Sequence, residues 1–204
     1  MEGGEGVGKS TNLAYLERFL ASNGIDVITT REPGGTPLGE QIRGLLLQIR
    51  QEQVSAIAEL LLIFAARAQH IREVIEPALI AGKWVLCDRF TDATYAYQCG
   101  GRDVAWETVS QLEQLVQGEL RPDFTVLLDL PVTTGIDRAK GRGNLDRFEQ
   151  ETLDFFERVR SCYLRLAREN RERYRLLDAS APLVEVQANL SKFGLDLLSY
   201  WAIR

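Results

Sequence analysis

Apolar positions along the chain follow two rhythms. From Ser10 onward, Leu13, Leu16, Phe19 and Leu20 recur at helical spacing, and Asn23-Gly24 supplies a C-terminal stop. Residues 26–30 read as a strand. The following Arg31-Glu32-Pro33-Gly34-Gly35-Thr36-Pro37 is kept out of regular structure by its prolines and glycines. The pattern predicts helices over 38–47 and 58–80, then a buried strand at 84–87 ending on Asp88, and another at 124–128 ending on Asp129. Further helices are predicted over 105–118, 134–140 and 149–168, with a short strand at 174–177 and a last helix starting near Pro182.

Short apolar strands separated by helices of ten or more residues imply parallel pairing through right-handed crossovers. The predicted fold is a three-layer α/β/α sandwich with a central parallel sheet, and residues 1–204 form one domain. One piece is missing from this pattern. The glycine-rich loop at residues 3–10 should follow a strand, yet only Met1 and Glu2 precede it, so the central strand is expected to begin upstream of this numbering.

Composition narrows the function. At 204 residues and 45% apolar content the chain can bury roughly 70% of its unfolded surface in one core. The 29 acidic and 24 basic residues give a net charge of -5, which disfavours extended nucleic-acid binding but leaves a small anionic ligand open. Cys87, Cys99 and Cys162 show no Cys-x-x-Cys spacing and fit reduced thiols in a cytoplasmic protein. His70 is the single histidine, which excludes zinc sites built on several imidazoles. No apolar run reaches the ~18 residues of a membrane span.

The loop Gly3-Gly4-Glu5-Gly6-Val7-Gly8-Lys9-Ser10 carries the strongest chemistry. In Gly-x-x-x-x-Gly-Lys-[Ser/Thr] the glycines let successive backbone N–H groups converge on phosphate oxygens, and the following helix adds the positive end of its dipole. Lys9 is expected to reach the β- and γ-phosphates of a nucleoside triphosphate and the Ser10 hydroxyl to bind Mg²⁺, with Thr11 completing the loop. Asp88-Arg89-Phe90 follows directly on a predicted strand, where open α/β sheets bind ligands. Asp88 is placed to act near the metal and Arg89 to fork onto a second phosphate; the alternative is an ion pair at a strand end. Arg31 and Arg43 flank the Pro/Gly loop and either converge on an anion or serve as surface charge. Arg138, Lys140, Arg142 and Arg147 form a third basic cluster, interrupted by Gly141, Gly143 and Asn144. Residues 138–149 therefore read as a mobile basic lid or as a solvated loop.

Taken together, "GGEGVGKST", "TREPGGTPLGEQIR", "FAARAQH", "CDRFTDATYAYQCGGR" and "GNLDRFEQE" resemble the bacterial thymidylate kinases. The resemblance implies transfer of the γ-phosphoryl of ATP to dTMP, giving dTDP and ADP, by a homodimer that uses Mg²⁺. It implies that Glu5 holds the sugar 3'-hydroxyl, that Arg89 and Arg43 hold the acceptor phosphate, and that Arg67 bonds the thymine O4. Gln98 with Thr94 would read the opposite edge of the base, Tyr97 would crowd the 2' position, and Glu32 belongs to the same acceptor set. ATP is assigned to Gly3, Gly4, Glu5, Gly6, Val7, Gly8, Lys9, Ser10 and Thr11, with Arg138 and Arg142 from the lid. Lys9, Arg89 and Arg142 are the expected catalytic cations, Arg142 because the phosphate loop itself has no arginine. A kinase of another nucleoside monophosphate or of a deoxynucleoside is the nearest alternative, and a nucleotide-dependent binding module or switch stands further off.

The chain departs from the family pattern twice. Relatives carry a base-stacking aromatic four residues before the thymine-reading arginine; here Ile63 stands there and Phe64 follows, so Phe64 is the expected stacking ring. Where relatives have Tyr-Gln-Gly-Gly-Gly-Arg this chain has Tyr97-Gln98-Cys99-Gly100-Gly101-Arg102, and Cys99 is expected to restrict a backbone angle open to glycine.

Overall fold

The computed structural model describes residues 1–141 and 146–202, without the side chains of 201 and 202. Nine α-helices and four strands alternate in them: α1 (Lys9–Ser22), β1 (Val27–Arg31), α2 (Pro37–Leu47), α3 (Ala56–His70), α4 (Glu76–Ile80), β2 (Trp84–Asp88), α5 (Thr91–Thr94), α6 (Trp106–Gln117), β3 (Thr125–Asp129), α7 (Val132–Lys140), α8 (Leu153–Glu169), β4 (Tyr174–Asp178) and α9 (Leu183–Ala202). Two π-helical turns, Ile71–Ile75 and Tyr95–Gly101, continue α3 and α5.

The strands pair in parallel, β1 with β2 and β3 with β4. Met1 and Glu2 join the two pairs into one sheet. The Met1 amine donates to the Cys87 carbonyl at 2.7 Å and the Met1 carbonyl accepts from Arg89 N at 3.0 Å, while Glu2 N donates to Val126 O at 2.8 Å and Leu128 N to Glu2 O at 2.9 Å. The first two residues thus occupy the sheet centre and deliver the glycine loop to the carboxyl ends of β2 and β3.

β3 shows why the sheet is covered on both faces. Val126 and Leu128 pack with Val186, Leu190 and Phe193 of α9, whereas the intervening Leu127 packs with Phe155, Phe156 and Val159 of α8. Alternation with period two sends successive side chains into opposite layers. The predicted three-layer α/β/α architecture is therefore present.

Several element boundaries shift from the sequence reading, and the long helix expected over 58–80 is interrupted by the π-helical turn at Ile71–Ile75. The helix expected from residue 58 starts at Ala56, because the Ser55 hydroxyl accepts from Ala58 N at 3.2 Å and caps it. The helix expected from 149 starts at Leu153 behind a Thr152 cap, since Asp146 caps a separate turn through Phe148 N at 2.8 Å and Glu149 N at 2.9 Å. The stretch after Arg89, left without an element by its pattern, winds into α5 and a π-helical turn.

Candidate active site

The glycine loop folds by close approach of backbone to backbone. Gly6 (φ 67°) and Gly8 (φ 86°) take left-handed angles. A methyl group at Gly6 would collide with the Gly135 carbonyl of α7, and one at Gly135 with the Glu5 carbonyl. Gly8 then opens α1, whose first free N–H groups face the loop. Lys9 folds back over the loop, its Nζ donating to Gly4 O at 2.8 Å and Gly3 O at 3.2 Å. Burial and the neighbouring Arg89 hold its pKa down at about 8.

Arg89 lies at the junction. It is a non-glycine residue at φ 67°, the turn that aims its side chain from the end of β2 back across the loop. One Nη donates to Gly3 O at 3.1 Å and Tyr163 Oη at 3.2 Å; the other donates to Glu5 Oε1 at 2.7 Å and Tyr97 Oη at 2.9 Å. Tyr97 Oη in turn donates to Glu5 Oε1 at 2.6 Å. Burial works against the Arg89 charge, but Tyr97, Glu5 and Tyr163 carry its pKa well above the ordinary guanidinium value. Burial pushes the Tyr97 phenol well above its usual range, so it stays a donor.

A second group forms around Arg67, which is 1% exposed. Its Nε donates to Glu32 Oε2 at 2.7 Å and one Nη to Thr94 Oγ1 at 2.9 Å, while the Phe64 ring lies 4.8 Å from the guanidinium carbon. His70 Nδ1 meets Glu32 Oε1 at 2.9 Å, and its Nε2 meets Thr30 Oγ1 at 2.6 Å. The remaining Nη1 of Arg67 is buried and has no partner among the described residues; the same is true of Asp88 Oδ1. Both are polar atoms of cleft-lining residues with hydrogen-bonding capacity to spare.

These groups line one cleft of about 330 Å³, a volume suited to small-molecule binding. Its walls include the loop from Glu5 to Thr11, then Arg31, Glu32, Arg43, Arg67, Asp88, Arg89, Thr94, Tyr97 and Gln98. Arg43 Nη1 donates to Pro33 O at 3.0 Å, and burial lowers its pKa. Most of the residues singled out from the sequence are thus brought together. Arg138 stands outside this cleft, donating to Ala179 O at 3.1 Å, and Arg142 lies outside the described residues.

Two expectations are corrected. Ile63, not Phe64, lines the cleft; Phe64 is 2% exposed and packs with Leu60, Val104 and Val109, because one step along α3 turns a side chain by about 100° into the core. Phe90, Tyr97 and Phe148 supply aromatic rings to the cleft wall, Phe148 edge-on to Tyr97 with centroids 6.1 Å apart. Cys99 does not strain its loop, since it lies inside the π-helical turn and its φ is not positive.

Sequence reasoning also missed Glu2, Glu59, Arg102 and Tyr163. The signal for Glu59 was there: Glu59, Ile63, Arg67 and His70 fall on one side of α3 and are all buried, so a polar stripe runs along a helix that otherwise reads as apolar.

A glycine loop that opens a helix, beside a parallel strand ending in Asp88 and followed by Arg89, is the arrangement of a P-loop nucleotide-binding protein. Comparison refines the class: the thymidylate kinase family model matches residues 1–190. The chain is 59% identical over 192 residues to the thymidylate kinase of Teredinibacter turnerae, covering 94% of each protein. It is 60% identical over 198 residues to that of Ectopseudomonas mendocina, covering 97% of this chain and 94% of the relative. The crystal structure of thymidylate kinase from Ehrlichia chaffeensis superposes with a TM-score of 0.74 at 30% identity, covering 94% of each chain. The chain belongs to the thymidylate kinase family and is an enzyme that phosphorylates dTMP with ATP.

Proposed function

We propose that both nucleotides meet end to end in the Arg89 cleft, ATP on the glycine loop and dTMP on the wall formed by α3 and the Tyr95–Gly101 turn. The observation that carries this reading is the position of Arg89. Its guanidinium bonds the loop at Gly3 on one side and the Glu5 and Tyr97 side chains on the other, so it faces donor and acceptor together.

On this reading Arg89 and Arg43 hold the acceptor phosphate, Glu5 holds the sugar 3'-hydroxyl, and Tyr97 crowds the 2' position. Arg67 offers its unpaired Nη1 to the thymine O4, with Glu32 and Thr94 fixing its plane and Gln98 on the opposite edge. A phosphate oxygen of dTMP attacks the γ-phosphorus, the new P–O bond forms as the bond to the β–γ bridging oxygen breaks, and ADP leaves with that electron pair. The acceptor is already an oxyanion, so no strong base is needed. Lys9 and Arg89, with Arg142 from the basic segment, neutralise the charge spread over the transferring group. The hard oxygens of Ser10 and the unpaired Asp88 carboxylate fit Mg²⁺ held largely by phosphate, an ion that would shield the triphosphate charge when bound. No helix of the described residues is long and apolar enough to cross a membrane. From the family resemblance alone we place the reaction in the cytoplasm, carried out by a homodimer.

The test is a steady-state assay of ADP release with ATP and dTMP, dUMP, dCMP or AMP as acceptor. dTMP is expected to give the highest kcat/KM. Preference for another acceptor overturns the substrate assignment, and ADP release independent of acceptor favours a nucleotide hydrolase.

A further inference from the structure

The mechanism above makes no use of Glu59, yet three side chains converge on its carboxylate, which is fully buried. Oε1 accepts from Gln98 Nε2 at 2.9 Å and Arg102 Nε at 3.2 Å; Oε2 accepts from Arg147 Nη2 at 2.5 Å and Arg102 Nη2 at 3.4 Å. Arg147 comes from the segment that carries Phe148, lies over that ring, and donates through Nε to Leu46 O at 2.7 Å. Arg102 lies over the same ring and pairs with Glu151 at 2.6 Å.

A glutamine amide has two orientations of nearly the same shape, one presenting an acceptor and the other a pair of donors. Here one partner removes the ambiguity. A carboxylate that already accepts from two guanidinium groups has only acceptor atoms to offer, so the Gln98 amide turns its NH₂ toward Glu59. Its carbonyl oxygen is then directed away from Glu59, to the cleft that Gln98 lines. We propose that Glu59 is a positioning residue that sets base specificity: it locks the Gln98 oxygen toward the acceptor base. The site then accepts a ring that carries N3–H, as thymine and uracil do, and rejects cytosine, whose N3 bears a lone pair. Through Arg147 the same carboxylate anchors the segment that holds Phe148 over the cleft, so base reading and that segment share one support. The inference rests on the proposed placement of dTMP in this cleft.

The test compares kcat/KM for dTMP and dCMP in the unaltered protein and in Glu59→Gln. A glutamine at 59 offers donor and acceptor alike and frees the Gln98 amide to turn over. The dTMP:dCMP preference is expected to fall about tenfold or more, with kcat for dTMP reduced less than the ratio. A folded Glu59→Gln protein that keeps the full preference overturns the proposal. The substitution also leaves two guanidinium groups without their carboxylate, so a second arm uses the unaltered protein with 3-deaza-dTMP, in which C–H replaces the ring N–H. Roughly tenfold or greater loss of kcat/KM against dTMP supports the locked acceptor, and equal efficiency overturns it. If the unaltered protein prefers an acceptor other than dTMP, the cleft assignment fails and the Glu59 inference falls with it. Lost preference in Glu59→Gln alone leaves the assignment intact.

Discussion

On the proposed reading, Arg67 serves stability and recognition at once. Its Nε neutralises Glu32, which is 3% exposed, while Nη1 is left for a ligand. Arg67→Ala leaves a buried carboxylate with only His70 beside it, a change expected to destabilise by about 3–5 kcal/mol. Arg67→Lys retains a cation but has no planar fork, so one ammonium cannot meet Glu32, Thr94 and the base together. Chemical denaturation is expected to show most of the lost stability recovered in the lysine variant, while KM for dTMP stays raised about tenfold or more in both. A lysine variant with normal KM would remove Arg67 from base recognition. At this scale the sequence was unevenly legible. Lys9 and Arg89 were evident because each sits at a position the backbone pattern defines, a loop–helix junction and a strand end. Arg67 was found only through the family resemblance, since its helical position is equally consistent with an exposed charge. Tyr163 escaped because its partners lie far away in the chain, and the polar stripe on α3 marks Glu59 without naming its distant partners Gln98, Arg102 and Arg147.

Among the elements, the contact between the glycine loop and α7 places the tightest limit on the chain. Gly6 and Gly135 touch through backbone atoms alone, and either methyl would enter the facing carbonyl. Gly135→Ala is less disruptive to its own helix than Gly6→Ala to its loop, because Gly135 is helical and Gly6 has a positive φ. The alanine at 135 must therefore push the loop aside. It is expected to cost about 1–3 kcal/mol of stability by overpacking and to raise KM for ATP more than KM for dTMP, read from thermal melts and from varying each substrate in turn. Equal effects on the two would mean that α7 does not set the donor end. The regular elements were legible because burial imposes a period of two or 3.6 residues on the pattern. The π-helical turn at Tyr95–Gly101 was not, since no local preference marks a turn widened by one residue. That turn nevertheless sets the face on which Tyr97 and Gln98 meet the cleft.

For the whole molecule, α3 carries the consequence. One face holds Glu59, Ile63, Arg67 and His70 toward the core and the cleft; the opposite face shows Ile57 and Leu61 half exposed, and on and after α2, which packs against α3, Leu45 and Ile49 are exposed as well. Four large exposed apolar side chains on packed neighbouring segments are candidates for an interaction surface, and the proposed homodimer would cover them. If it does, the interface backs directly onto α3, the helix that carries Arg67. Leu61→Glu places a charge in the centre of this patch without touching the core. Sedimentation velocity is expected to show the unaltered chain at twice the mass of one copy and the variant at the mass of one. KM for dTMP is expected to rise severalfold in the variant as α3 loses its support, with KM for ATP nearly unchanged. An unaltered chain that sediments as a single copy at micromolar concentration would place the dimer elsewhere or remove it. A monomeric variant with unchanged KM for dTMP would keep the interface but separate it from the site, leaving the Glu32 and Thr94 contacts sufficient to hold Arg67.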